Sequence, residues 1–482
     1  MKLTTLSHAG LAVESQGRQL ICDPWLVGSC YWRSWWNYPP VSPDLIATLH
    51  PSWIYLTHIH WDHFQGASLR LFSLDTPVLI PFDRYTRMRD DLAKIGFKTI
   101  IELKHGERRQ LSDSLAITSY QFSPLTDSAV VIEADGVVVF NVNDAKFLGG
   151  PLDQILAAHP KIDFALRSHS SANARLTYHC LDAPDETVDD NSSYARTFCA
   201  FMERVRPRYA IPFASNHCHL HKDSWAFNSH VTSPELVAEV MAERQKRSPF
   251  PTELRIMTSG DWWDSETGFH ITPSPWLENR ERHLLAYAER MSPVLEKTYR
   301  KEEAVVISQP YAIRQLTAFA EAVPWFWRRA FRGRPVLFDV RAGEVGRQGF
   351  LVDLWNRKVT ATDPAAADPM MMRIIAPASV FKMSLALNMF CHAAISKRLR
   401  YQARREDMKR LKLFEALQSL YEVELLPLGR LLRNRRLWQA YLPRWREVLL
   451  FGHMALLSLA GVPLHRQELR FLQAGNGRRG EI

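Results

Sequence analysis

Short apolar runs recur along the first half of the chain, each bounded by polar or turn-forming residues. RQLICDPWL from Arg18, SWIYLTH from Ser52, PVLIPF from Pro77, KTIIEL from Lys98, LAITSYQF from Leu115, AVVIEA from Ala129 and VVVFNV from Val137 have the length and β-branched content of strands. Between them, RYTRMRDDLAKIG carries apolar residues at helical spacing and stops at Gly96. SYARTFCAFMERVRP from Ser193 is also helical and stops at Pro207. YAIPFAS from Tyr209 reads as one more strand, followed after a loop by the helix SPELVAEVMAERQ from Ser233. Strands mixed with helices in this way predict an α/β fold, with sheets covered by helices.

The texture changes after DWWDSETGFHITPSPW, and from Asn279 onward helices dominate. The β-like stretches RPVLFDVRAG and RQGFLVDLWNRKVTAT interrupt them. The pattern divides the chain near Pro275 into a strand-rich domain over 1–275, a helical linker over 276–333 and a mainly helical domain with a small sheet over 334–482. A length of 482 residues agrees with more than one hydrophobic core. VLLFGHMALLSLAGVPL from Val448 sits at the short end of the membrane-spanning range, and its charged flanks, internal Gly and terminal Pro predict a buried core helix.

Composition adds a direction more than an identity. A hydrophobic content of 46% and a charged content of 23% are those of an ordinary globular protein. The net charge of +9 favours anionic partners and leaves peripheral contact with a membrane open. The 6 cysteines are scattered and form no C-x-x-C pair, which suits a reducing compartment and predicts a cytoplasmic protein. The start, MKLTTLSHAG, lacks the apolar segment of a signal peptide. Oligomeric state has no signature in the sequence.

The chemistry concentrates in YLTHIHWDHFQG, where His58, His60, Asp62 and His63 follow an apolar strand. Ligands two apart can leave a strand end on one side, so His58 and His60 share a direction. The loop behind them can bring Asp62 and His63 to a second point. Imidazole with carboxylate suits zinc, iron or manganese, and the cluster is what one or two adjacent divalent metal ions need. Asp144 closes the apolar strand VVVFNVND, where an uncompensated carboxylate is costly and one facing a metal is satisfied.

An H-x-H-x-D-H motif behind a strand resembles the metallo-β-lactamase superfamily, whose fold is an αβ/βα sandwich with metals at its edge. LSHAGLAVESQGRQLICDPWL is similar to the opening of the branch that contains L-ascorbate-6-phosphate lactonase and the N-acylphosphatidylethanolamine phospholipase. DPWLVGSCYWRSWWNYPP, TDSAVVIEADGVVVFNVNDAKF and IPFASNHCHLHKD resemble the lactamase-fold part of CMP-N-acetylneuraminate monooxygenase, so that the resemblance covers about residues 1–265. It implies that His58 and His60 hold a first metal, that Asp62 and His63 hold a second, and that Asp144 bridges them. By the same carry-over Asp62 and His63 belong to the catalytic centre.

The chain also departs from that pattern. A histidine that most relatives carry before the strand AVVIEA is missing from QFSPLTDSAVV, and Asp127 is the nearest ligand-type residue. The last family histidine falls near His217, ahead of the alternative His169. His8 and Asp23 are expected beside the metals as supporting partners or alternative ligands. Asp23 in particular could bind the outer nitrogen of a ligating histidine. The second half, with a small sheet and apolar helices such as ASVFKMSLALNMFCHAAI, resembles the sterol-carrier-like domain that some lactamase-fold enzymes append.

The segment WLVGSCYWRSWWNYPP packs Trp25, Tyr31, Trp32, Trp35, Trp36 and Tyr38 around Arg33. It reads as a loop, because so many aromatics make an odd strand and an unstable helix. Arg33, Trp35 and Trp36 are the expected contacts to a small anionic organic substrate, with packing against the sandwich or second domain as the competing role. No stacking sheet or groove pattern accompanies the segment, so nucleic acid is not the expected partner.

Two activities fit these features. One is a hydrolase in which a metal-bound hydroxide attacks an anionic phosphoester, lactone or amide. The other is a non-haem iron monooxygenase like the sialic-acid relative. That relative takes electrons through a Rieske centre, whose two-Cys, two-His signature is not found here, so the oxygenase reading requires a separate electron donor.

Overall fold

The structure is a computed structural model that describes residues 1–474 other than 123–126, 171, 173, 185–190, 344–345, 460–461 and 463. Two sheets face each other across an apolar core. The first has eight strands in the order Gly268–His270, Trp262–Asp264, Lys2–Thr5, Leu11–Ser15, Arg18–Cys22, Trp53–Tyr55, Val78–Pro81 and Ile100–Leu103. The second has seven, in the order Glu253–Leu254, Tyr209–Phe213, Phe164–Ser168, Val137–Asn143, Asp127–Ala134, Leu115–Phe122 and Glu107–Ser112.

Alternation along the strands assigns the layers. Leu115 and Ile117 join Val130, Ile132, Val139 and Leu166 in the core between the sheets, with Leu11, Val13, Leu20, Tyr55 and Leu79 opposite. Tyr120, Phe122, Val131, Phe140 and Val142 point the other way and are covered by Phe198, Phe201 and Met202 of the helix Asn191–Val205 and by Val237 and Met241 of Pro234–Arg247. Ile21, Ile54, Val78 and Ile80 on the outer face of the first sheet are covered by Met88 and Leu92 of Arg87–Ile95. That helix ends at Gly96, whose φ of 113° lies in a region that favours glycine. The layering is helix, sheet, sheet, helix, the expected αβ/βα sandwich. Each sequence-predicted strand of the first half is present.

The later part of the chain forms a six-stranded sheet in the order Tyr178–Cys180, Arg400–Ala403, Arg373–Pro377, Val336–Ala342, Gly346–Asp353 and Lys358–Thr362. Its core includes Leu316 and Phe319 of Gln309–Ala322, Phe381 of Ala378–Leu387 and Phe414 of Arg405–Glu422. The chain crosses the boundary at Pro275 in both directions. Tyr178–Cys180 lends an edge strand to this later sheet, and Leu472 of Leu464–Ala474 returns to the core of the sandwich.

Two local expectations change. The aromatic segment contains short strands, Ser29–Cys30 and Trp35–Asn37, which pair with each other and with His217–His219. The run from Val448 lies in the helix Trp445–Leu459, but it is no buried core helix: Val448, Leu449 and Leu456 are 45%, 64% and 66% exposed. Among the described residues, no helix is long and apolar enough to cross a membrane.

Candidate metal centre

The strand Trp53–Tyr55 runs parallel to both Arg18–Cys22 and Val78–Pro81, and its buried side chains fix where it ends. The chain leaves that end at Thr57 and turns at once. The backbone N–H groups of His63 and Phe64 both donate to the carbonyl of His60, at 2.9 and 2.7 Å. The turn brings Asp62 and His63 back beside His58 and His60. The His58 ring lies 4.7 Å from that of His60 and 4.1 Å from that of His63.

Three sets of ligand atoms converge, each with all its atoms within 4.8 Å of one another: His58, His60 and Asp127; His8, Asp62 and His63; and His58, His63 and Asp144. Asp144 Oδ2 lies 3.3 Å from His63 Nε2 and 4.0 Å from His58 Nε2, so one carboxylate spans the other two sets. Asp127 stands with His58 and His60, where the missing family histidine was expected. Its strand is held there by Ser128, whose hydroxyl donates to the Thr57 carbonyl at 2.6 Å.

The donor atoms fit a cation. The buried Nε2 atoms of His8, His58 and His63 form no aligned hydrogen bond. His8 Nε2 does lie 3.0 Å from Asp62 Oδ2, an ion-pair distance. In His58 and His63, though not in His8, the opposite ring nitrogen is held from behind: His58 Nδ1 by the Thr57 hydroxyl at 3.0 Å and His63 Nδ1 by Asp23 Oδ2 at 2.9 Å. Such outer bonds fix the ring orientation and leave Nε2 as the ligand. Asp23 also accepts from the Thr57 N–H and hydroxyl and from Asn143 Nδ2, so it organises the whole edge.

The electrostatics agree for His58 and His60, whereas at His63 burial is outweighed by Asp62, Asp144 and Asp23, which hold it well above the ordinary imidazole range, so that it would release a proton on binding a cation. Burial, then the charges of His63 and His60, hold His58 well below the ordinary imidazole range. Burial and His392 lower His60 to about 4. Neutral imidazoles are the form a metal binds. Burial and the neighbouring Asp144 raise Asp127 to about 7, against the opposing charges of Lys146 and His63. Burial alone would raise Asp62, yet His63 and His8 hold it well below its usual range.

The other expected residues fall differently. His217 joins none of the three sets: its ring stacks on Trp35 at 3.8 Å with an interplanar angle of 4°, and His8 stands between it and the cluster at 5.3 Å. His8 is therefore a first candidate ligand, and His217 is displaced from that role by the stack. His169 is fully buried outside the sets, and burial lowers it to about 3. Trp35 and Trp36 are 1% and 3% exposed, which corrects their expected role as substrate contacts. Their indole N–H groups donate to the Ile395 and Arg33 carbonyls. Arg33 remains half-buried, bonded to Ser29, and lines a cavity of about 360 Å³ together with Tyr31, Trp32 and Trp61.

Two contributors escaped the sequence reading. Tyr31 donates its hydroxyl to Asp62 Oδ1 at 2.5 Å. Tyr31, Trp32 and Arg33 have φ of 50°, 55° and 64°, a left-handed run that costs about 1–2 kcal/mol per residue and that aims Tyr31 at the cluster. The aromatic crowding of the segment was a signal for it. His392 belongs to Phe390–Ile395 in the later domain, lies 5.3 Å from the His60 ring and donates Nδ1 to Glu422 at 2.6 Å. Nothing in its apolar sequence context announced it.

No family model matches the chain. It is 26% identical over 324 residues to a protein described as a Rieske 2Fe-2S iron-sulfur protein from Mycobacterium tuberculosis, an alignment covering 61% of this chain and 61% of that relative's length. It is also 26% identical over 151 residues to cytidine monophosphate-N-acetylneuraminic acid hydroxylase of Mus musculus, covering 30% of this chain and 26% of the relative. Among solved structures it resembles the metallo-β-lactamase fold protein YhfI of Bacillus subtilis, with 15% identity, 54% of this chain and 98% of that one covered and a TM-score of 0.35. The two facing sheets, the flanking helices and the ligand cluster at the sandwich edge together make this chain a metallo-β-lactamase fold, and its sequence relatives include the sialic-acid hydroxylase that its motifs resemble.

Proposed function

We propose that the chain is a metal-dependent hydrolase of a small anionic phosphoester, lactone or amide. The observation that carries this reading is the position of Asp144, whose single oxygen reaches both the His58 and His63 donors. Two divalent ions bound there would supply a nucleophilic water at neutral pH and charge stabilisation for a developing oxyanion. His58, His60 and Asp127 would hold one ion, and His8, Asp62 and His63 the other. Tyr31 fixes the free rotation of Asp62, and Asp23 fixes His63. Asp144 is 24% exposed at its side chain, so a substrate can approach from that side.

A second reading, a non-haem iron oxygenase, is favoured by one specific observation. Both the His58–His60–Asp127 and the His8–Asp62–His63 sets offer two imidazoles and one carboxylate, the donor set of iron oxygenases. The relatives named for a Rieske centre and for a hydroxylase agree with it. Metal analysis of anaerobically purified protein separates the two, with absorption spectra before and after oxygen. Hydrolysis predicts zinc or manganese and no response to oxygen. Two irons that react with oxygen would replace the hydrolase reading by the oxygenase.

A further inference from the structure

Far along the chain, three consecutive helices, Leu428–Leu432, Arg435–Tyr441 and Trp445–Leu459, present apolar side chains outward. Leu432, Trp438, Leu442, Trp445 and Leu449 are 58%, 50%, 66%, 54% and 64% exposed. The inner faces are pinned. Leu450, Phe451 and Met454 pack on the core of the sandwich, and the Phe451 ring lies 5.2 Å from Phe122. The outward faces are therefore a fixed feature of the fold. The second and third helices enclose a groove of about 400 Å³ lined only by apolar and aromatic side chains, among them Leu437, Trp438, Leu442 and Trp445.

Charge accompanies this surface. Arg430, Arg433, Arg435 and Arg446, on the same helices and the turns between them, are exposed. From Leu428 to Phe451 the one carboxylate is Glu447, which is buried and bonded to Arg444. A second cavity of about 530 Å³ adjoins the groove and shares Trp445 with it. Its lining includes Lys104, Arg446 and the Arg444–Glu447 ion pair. An apolar groove thus continues into a basic pocket, with tryptophan at the junction.

We propose that this face docks the protein on an anionic lipid bilayer, with Trp438, Leu442, Trp445 and Leu449 inserted at the acyl boundary and the arginines and basic pocket against phosphate headgroups. Exposed Trp and Leu bordered by Arg are the side chains that hold a helix in the plane of an interface. A bilayer supplies apolar depth and negative charge together. Self-association through the same face would set Arg430, Arg433, Arg435 and Arg446 against their own copies.

The test is co-sedimentation of the full chain with vesicles of phosphatidylcholine alone and of phosphatidylcholine with phosphatidylglycerol. Binding is expected to the anionic vesicles and to weaken with salt. The double variant Trp438→Ser, Leu449→Ser is expected to lose about tenfold or more in partitioning. Replacing Arg430, Arg433, Arg435 and Arg446 by Gln is expected to cost about fivefold per charge at low salt, with binding to the neutral vesicles unchanged. Melting temperature and metal content of the variants report that they fold. As a check free of substitution, brominated lipid should quench the emission of the wild-type chain. Failure to sediment with the anionic vesicles overturns the proposal. So does binding that the two variant sets leave unchanged, a dimer that the Trp438 and Leu449 variant dissolves, or saturation by soluble glycerol phosphate without vesicle binding. None of these outcomes depends on which reaction the metal centre performs.

Discussion

The loop His58–His63 and the segment Trp25–Tyr38 are both crowded with ring side chains, and both lie at the same edge of the sandwich. In the loop, the crowding is chemistry. Its imidazoles converge within 4.1–4.7 Å, and those of His58 and His63 keep Nε2 unbonded and are oriented from behind by Thr57 and Asp23. In the aromatic segment, the crowding is mostly packing. Trp25, Tyr31, Trp35, Trp36 and Tyr38 are each at most 3% exposed, and Trp35 and Ser34 bond to carbonyls of the later domain. Similar composition gives opposite roles because imidazole keeps a lone pair to offer when buried, whereas an indole is satisfied once its N–H finds a carbonyl.

The sharpest way to break this contrast is to remove a ligand. His60→Ala, or Asp127→Ala, is expected to abolish metal at its site and activity with it, while the apo fold persists. Elemental analysis of the purified variants checks this. Full metal retention in Asp127→Ala would return the third ligand of that set to an unassigned residue.

The same contrast explains what was legible in the sequence. The strands were readable because period-two alternation and turn residues are local, whereas their order in the two sheets is set by distant pairings. The motif was readable because ligands two residues apart at a strand end need no distant information. Asp144 followed from the family resemblance of its strand pair, with the cost of an uncompensated carboxylate at a strand end beside it. That His8 rather than His217 stands with Asp62 and His63 could not be read, because it depends on Trp35 occupying the space against His217. The burial of Trp35 depends in turn on Ile395, 360 positions away. His392 is the extreme case, since its only cue is a contact across domains. The helix from Val448 was misjudged for a related reason: hydrophobicity says that a face seeks apolar company and does not say whether the protein itself supplies it.

Next in size is Trp35→Ala. Loss of a fully buried indole is expected to cost about 3–5 kcal/mol of stability, read by denaturant unfolding. Metal per folded molecule should stay near that of the wild type. A variant of normal stability with a raised KM would instead make Trp35 a substrate contact and erase the contrast. Asp23→Asn tests the support of the loop. It keeps the size and tolerates the φ of 44° at that position, but it weakens the bond to His63 Nδ1. Metal affinity should fall by about 10–100-fold, measured by competition with a chelator.

A smaller effect separates the seam behind the aromatic segment from the metal edge. Glu302 bonds Arg398 and lies 3.4 Å from His221. Burial would raise its carboxyl, but those two partners bring it down to about 2. A lowered carboxylate stabilises the fold above its unfolded pKa of about 4.5, and that contribution is lost as pH falls towards 2. Melting temperature should decline across that window in the wild type. In Glu302→Gln, destabilised by about 2 kcal/mol at neutral pH, this part of the decline should be flattened. An unchanged acid profile would place the linkage in other carboxylates.

The finest test is at Arg33, the one expected substrate contact of the aromatic segment that still faces a cavity. Its guanidinium donates to the Ser29 hydroxyl at 3.1 Å, a local bond four residues away, so Arg33→Gln should change stability by no more than about 0.5 kcal/mol. The informative quantity is KM against an anionic and a neutral substrate of the same reaction. If Arg33 orients the anion, KM rises for the first and stays constant for the second, and kcat changes little because the residue does not reach the ligand cluster. Equal KM values for both would make the whole aromatic segment a packing element, and the two ring-rich regions would then divide cleanly into chemistry and support.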